Sequence, residues 1–168
     1  MTISMYQASI PVLTKVLRNL AGILEKAEKH AIDKRIDPAV FLQGRLFPDM
    51  YPLVRQVQIA TDVAKGCPAR LSGQTPPSYE DKETSFDELQ ARIAKTIAFL
   101  GTFAPEQIDG IEETTVTFKV GGREKTFKGL PYLLEFVLPN VFFHTTTAYA
   151  ILRHGGVELG KADFLGSH

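Results

Sequence analysis

The sequence predicts an all-α fold, an up-down four-helix bundle with a small β-hairpin inserted before the last helix. Three observations carry that prediction. Four long segments repeat apolar residues at alternating spacings of three and four, which places them on one helical face. The loops joining these segments are modest, as in a bundle of neighbouring helices. One stretch late in the chain switches to a period of two and runs into Gly121-Gly122, a pair suited to a two-residue hairpin turn.

The first helix is expected from Ser4 to Ile32, with Ile10, Leu13, Leu17, Leu20, Leu24, Ala27 and Ala31 on its buried face. Pro11 removes a hydrogen bond from a helix interior. Either the helix kinks there or it starts later, with Ser9 as its cap. Lys34 to Asp49 reads as a connection, in which Asp37-Pro38 opens a short helical turn. A second helix is expected from Pro48-Asp49 to Gly73, with Leu53, Val57, Ala60, Ala64, Cys67 and Leu71 on its stripe. Gln74 to Thr84 is polar and proline-rich, hence a loop. Thr84 and Asp87 have the spacing of a capping box and open the third helix, which Gly101 ends.

Thr115 to Val120 then alternates polar and apolar residues. Folding back on Gly121-Gly122 pairs Lys119 with Glu124, Thr117 with Thr126 and Val116 with Phe127. Opposite charges, two threonines and an apolar pair all match in that register. A lone hairpin is marginal in water, so this one must lie on the bundle or on a second copy of the chain. The last helix is expected from Leu130 to Gly156, with Leu130, Leu134, Val137, Val141, His144, Ala148 and Ile151 on one stripe. Pro139 predicts a kink just before Asn140 and His144.

The 168 residues suit one domain, 1–168. Nineteen basic and nineteen acidic residues leave no net field to favour nucleic acid or an anionic membrane surface. The single cysteine, Cys67, excludes an intramolecular disulfide and fits a reducing compartment. Neither a secretory signal nor a stretch long and apolar enough to span a membrane is apparent. The expected location is cytoplasmic.

No phosphate-binding loop, dinucleotide fingerprint, zinc-finger spacing or His-Glu-x-x-His motif is present. What remains is a constellation. His144 falls on the apolar stripe of the last helix, and Asn140 lies one turn earlier on nearly the same face. Gln56, Gln58 and Asp62 are polar positions beside or behind the stripe of the second helix. Together they suggest a polar pocket between these helices, able to hold a small ligand or a metal. His30 and His154 stand near helix ends, where a histidine can interact with C-terminal carbonyls, and His168 is expected to be disordered. Cys67 reads as a buried apolar residue, and Arg45, Asp49 and Arg55 as a solvated surface network.

The run NVFFHTTTAYAILRHGGVELGKADFLG, with PDMYPLVRQVQIATDVAKG and LQARIAKTIAFL before it, resembles a branch of the DinB/YfiT-like metalloenzyme superfamily known only as a domain of unknown function. The resemblance covers about Ser4 to Gly166. It implies a four-helix bundle, commonly dimeric. Metal-binding members use one histidine on the second helix and a His-x-x-x-His pair on the last, and some are thiol-dependent transferases. On that pattern His144 stands at the second histidine of the pair and Asn140 at the first. Gln58, with Gln56 as the alternative, stands at the second-helix position. Two of three implied ligands are therefore amides. The reading preferred from the sequence is a small polar ligand bound near His144. The alternatives are a hydrolase or thiol transferase dependent on zinc or nickel with His144 as metal ligand, and a structural homodimer without a site.

Overall fold

The computed structural model describes residues 3–166; His168 lies outside them. Helix α1 spans Met5–Lys34. Ser4 caps it: its Oγ accepts from the Gln7 amide, and the Gln7 side chain accepts from the Ser4 amide. Pro11 is carried inside the helix, so Ser9 is not its cap. Ser9 is buried and donates its hydroxyl to the Met5 carbonyl. The short helix α2, Pro38–Leu42, begins as expected, with the Asp37 carboxylate accepting from the Ala39 amide.

Helix α3 spans Leu53–Leu71 and starts later than Pro48. A proline holds the residue before it in extended backbone, so Tyr51 cannot continue a helix into Pro52. Phe47 to Met50 forms only a turn, and α3 begins immediately after Pro52. Helix α4 spans Phe86–Leu100. Its cap is Ser85, one residue beyond the expected Thr84; the Ser85 hydroxyl accepts from the Glu88 amide, while the Glu88 carboxylate reaches back to the Thr84 amide.

Strands β1, Thr115–Val120, and β2, Arg123–Lys128, pair in the register expected from their side chains. The Thr117 and Thr126 hydroxyls are 3.0 Å apart. Gly121 and Gly122 have φ of 57° and 76°, which only glycine adopts cheaply. The hairpin lies on its own chain. Phe118 packs on Tyr132 and Phe136, Phe127 packs on the same two rings, and Val116 is fully buried.

The final helical segment is continuous in sequence but not in hydrogen-bond register. It begins as α5, Gly129–Pro131, widens into a π-helical stretch over Tyr132–Val137, and resumes as α6, Leu138–His154. The break falls immediately before Pro139, which has no amide hydrogen to donate. A π-turn accommodates one extra residue, so the buried face upstream shifts by one position. Leu133 and Gly129 are buried where the stripe called for Leu134 and Leu130, and both of those leucines are exposed. Downstream of the turn, Val137, Val141, His144, Ala148 and Ile151 are buried as the spacing predicts.

Helix α1 packs on α4, α6 and α3, and α3 packs on both α4 and α6. Leu13, Leu17, Leu24, Leu53, Val57, Leu89, Val141 and Ala148 are wholly buried in the core these helices share. A last short helix, α7, Lys161–Leu165, docks on α1. The architecture is mostly helical with one antiparallel hairpin, and it holds more helices than the four long segments that the spacing picked out. No described helix is long and apolar enough to cross a membrane.

Candidate functional site

The α3–α6 packing brings His144 against Gln56. Nδ1 of His144 lies 2.7 Å from Oε1 of Gln56. The Gln56 amide nitrogen donates to the Tyr51 carbonyl at 3.0 Å. This second bond orients the first. A carbonyl only accepts, so the NH2 end of Gln56 must face Tyr51, and the oxygen end must face the imidazole. Nδ1 therefore carries the hydrogen, and Nε2 presents its lone pair. No described residue hydrogen-bonds to Nε2. His144 is 9 % exposed. Burial holds its pKa below the ordinary histidine value, and the nearby charge of Arg55 pushes it the same way.

The other positions singled out from the sequence do not all converge there. Asn140 turns its amide back to the Phe136 carbonyl, 2.6 Å away and one turn earlier on its own helical segment. Gln58 faces a different neighbour from Gln56: its amide donates to Glu83 at 2.7 Å, and its carbonyl oxygen accepts from Arg55. Asp62 accepts from Arg92 at 2.8 Å and from Lys65.

Arg92 is the centre of that second cluster, and sequence reasoning missed it. It lies on α4, buried, and donates to the Thr61 hydroxyl, the Glu80 carbonyl, Glu83 and Asp62. It also pairs with Asp81 at 3.0 Å. Desolvation opposes its charge, and the bond to Glu83 with the surrounding carboxylates outweighs it, raising its pKa. Burial likewise works against the Glu83 charge but loses to hydrogen bonds from Arg92 and Gln58, so Glu83 titrates low. Arg55, Lys65 and Arg92 against Asp62, Asp81 and Glu83 leave this cluster neutral as a whole.

His144 lies in the wall of a groove of about 820 Å³ between α3, the hairpin and the π-turn segment. Ile59, Val63, Phe118 and Phe136 supply apolar surface, and Arg55, Asp62, Arg70, Lys125, Glu135 and Asn140 supply polar groups. His144, Asn140 and Asp62 thus all line the groove. Gln56 acts behind the histidine.

The remaining candidates separate. Cys67 is fully buried, and burial pushes its thiol up to about 12, so it is not a nucleophile at neutral pH. His30 packs edge-on against Phe41. Arg45 bonds to the Met50 carbonyl and Arg55 to Asp81, and neither forms an ion pair with Asp49. A zinc site built by protein needs at least three converging donors. Among the described residues no group of three His, Cys, Asp or Glu side chains is so placed. The amides of Asn140, Gln56 and Gln58 are committed to other partners. The donors present do not fit a three-ligand zinc or nickel centre.

The chain matches, over residues 5–165, the family described as Domain of unknown function (DUF1993). It is similar to the crystal structure of a DinB family member protein from Shewanella denitrificans, with 41% sequence identity and a TM-score of 0.88. The match covers 97% of this chain and 92% of that one. No curated protein matches.

Proposed function

The chain belongs to the DUF1993 family of DinB-like proteins, and from that membership we propose that it binds a small polar ligand in the groove beside His144. The observation that carries this reading is the fixed imidazole. Gln56, tied to Tyr51, holds Nδ1 protonated and leaves the Nε2 lone pair without a partner among the described residues. An imidazole oriented in this way accepts a hydrogen bond from a ligand or takes up a proton. Its lowered pKa keeps it neutral, and so an acceptor, at neutral pH. The groove has the size and mixed lining of a small-molecule site. On this reading the four long helical segments act as an up-down bundle, and the hairpin forms one wall of the site.

Thermal-shift screening of a metabolite library tests the proposal. Stabilising compounds should lose their effect in His144→Leu and weaken in Gln56→Leu. Hits that act equally on all three proteins would place binding elsewhere. Elemental analysis of untagged protein is the second arm. Stoichiometric metal that disappears in His144→Ala would replace this reading with a metal-dependent one.

A further inference from the structure

We propose that the groove takes an organic anion with an apolar body, and that Arg70 receives its negative end. This rests on the reading of the groove as a ligand site. It begins from the charges that line it. Arg55 is paired with Asp81, and Asp62 is paired with Arg92 and Lys65. Arg70, Lys119 and Lys125 also line the groove, and none of them forms an ion pair with a described residue. Glu135, exposed, is the one lining carboxylate without such a pair among the described residues.

Arg70 is no loose surface side chain. It is half-buried, and its seat is built from three sides. Gly66 lies one turn earlier on α3, and a Cβ there would sit 2.1 Å from Arg70 Nη1. A glycine inside a helix costs about 1 kcal/mol relative to alanine. Here it leaves the space that the guanidinium occupies. The Tyr132 hydroxyl donates to the Gly66 carbonyl at 3.2 Å and accepts from Arg70 Nη1 at 3.0 Å. The Phe118 ring lies 4.5 Å from the guanidinium carbon.

None of these neighbours supplies a counter-charge. Burial pushes the Tyr132 phenol up to about 12 even beside Arg70, so it stays neutral. The Cys67 thiol stays neutral for the same reason. A guanidinium has five N–H donors in a planar fork, and Arg70 spends one of them on a described residue. An oxyanion, carboxylate or phosphate, matches the donors that remain. Phe118, Phe136, Ile59 and Val63 offer the apolar surface for the rest of the molecule, and His144 Nε2 accepts from a donor on it.

The test uses the isotope-labelled full chain and three probes: hydrocinnamate, its neutral isostere hydrocinnamamide, and phenethyl phosphate. Binding is read from the amide shifts of groove residues. The anions should bind about tenfold tighter than the amide, and the tighter of the two identifies the head group. Arg70→Gln should bring the ratio close to one. Lys125→Gln, at an exposed hairpin position that leaves the fold alone, should lower it several-fold. Equal affinity for the anions and the amide, or a ratio unchanged in both variants, overturns the inference and leaves the groove as a binding site. If none of the three probes shifts a groove resonance, the inference falls together with the reading beneath it.

Discussion

His144 and Gln56 face each other across the α3–α6 interface, with Nδ1 of the ring 2.7 Å from Oε1 of the amide. Because the other end of the amide is held by the Tyr51 carbonyl, the pair has one hydrogen-bond polarity. Nitrogen chemical shifts of the wild-type ring should show Nδ1 protonated and Nε2 bare. In Gln56→Leu the ring loses its acceptor, so the two tautomers should mix. Leaving a buried donor unpaired costs about 1–3 kcal/mol, readable as a lower urea midpoint. Gln56→Glu should restore the tautomer and raise the His144 pKa, because a carboxylate favours the imidazolium. A wild-type ring protonated mainly at Nε2 would sink the argument.

The same histidine should leave a mark on stability against pH. Burial and Arg55 hold its folded pKa below the reference value of 6.5. The unfolded chain therefore binds more protons through this range, and folding is favoured where the ring is neutral. His144 contributes its full share of stability above the unfolded pKa. That share is lost as the pH falls through 6.5 towards the folded value. Urea midpoints measured between about pH 7.5 and pH 5.5 should fall less steeply in His144→Leu than in the wild type. Parallel slopes would mean that His144 does not titrate differently in the two states.

These two residues also show what could be read in the chain. A single histidine on an apolar stripe is visible by spacing, and its burial follows. Its partner is not. Gln56 and Gln58 differ by two positions, about 200° around a helix. Which of them meets α6 depends on how α3 is rotated in the packed structure. The hairpin register was legible because charge, hydroxyl and apolar pairs all matched and a glycine pair fixed the turn. The face of the last helix was legible only after Val137. Upstream, the π-turn adds a residue that no periodicity announces, and burial passes from Leu134 to Leu133. Arg92 escaped notice because its partners lie on α3 and in the loop before α4, 9 to 34 residues away in the chain.

Arg92 should matter more to stability than any exposed charge. Its side chain is 2 % exposed. In Arg92→Met, Glu83 loses its cation, while Asp62 keeps Lys65 and Asp81 keeps Arg55. Removing one partner of a buried ion pair costs about 3–5 kcal/mol. Asp62 and Asp81 are partly exposed and water screens them, so the lower end applies, about 3 kcal/mol. Arg92→Lys should recover part of that loss, since one ammonium cannot reach all of these acceptors. Equilibrium urea unfolding separates the cases. A loss below about 1 kcal/mol, the range of surface pairs, would show that the cluster is worth no more than a solvated one.

Two glycines should respond to the same substitution with opposite signs. Gly22 lies inside α1, and a Cβ built there meets nothing within 4 Å. Gly22→Ala should stabilise by up to about 1 kcal/mol through helix propensity alone. Gly129 joins the hairpin to the last helical segment. A Cβ there would stand 2.3 Å from the Ile111 carbonyl oxygen and 3.2 Å from that of Glu112. Both obstacles are backbone, and the Glu112 carbonyl already accepts from the Leu130 amide at 3.0 Å. Neither can swing aside as a side chain would. Gly129→Ala should therefore cost about 2 kcal/mol or more and loosen the hairpin from the helices. Because β1 forms a wall of the groove through Phe118, ligand-induced stabilisation should weaken in Gly129→Ala and persist in Gly22→Ala. Equal thermal shifts in the two variants would disconnect the hairpin from binding.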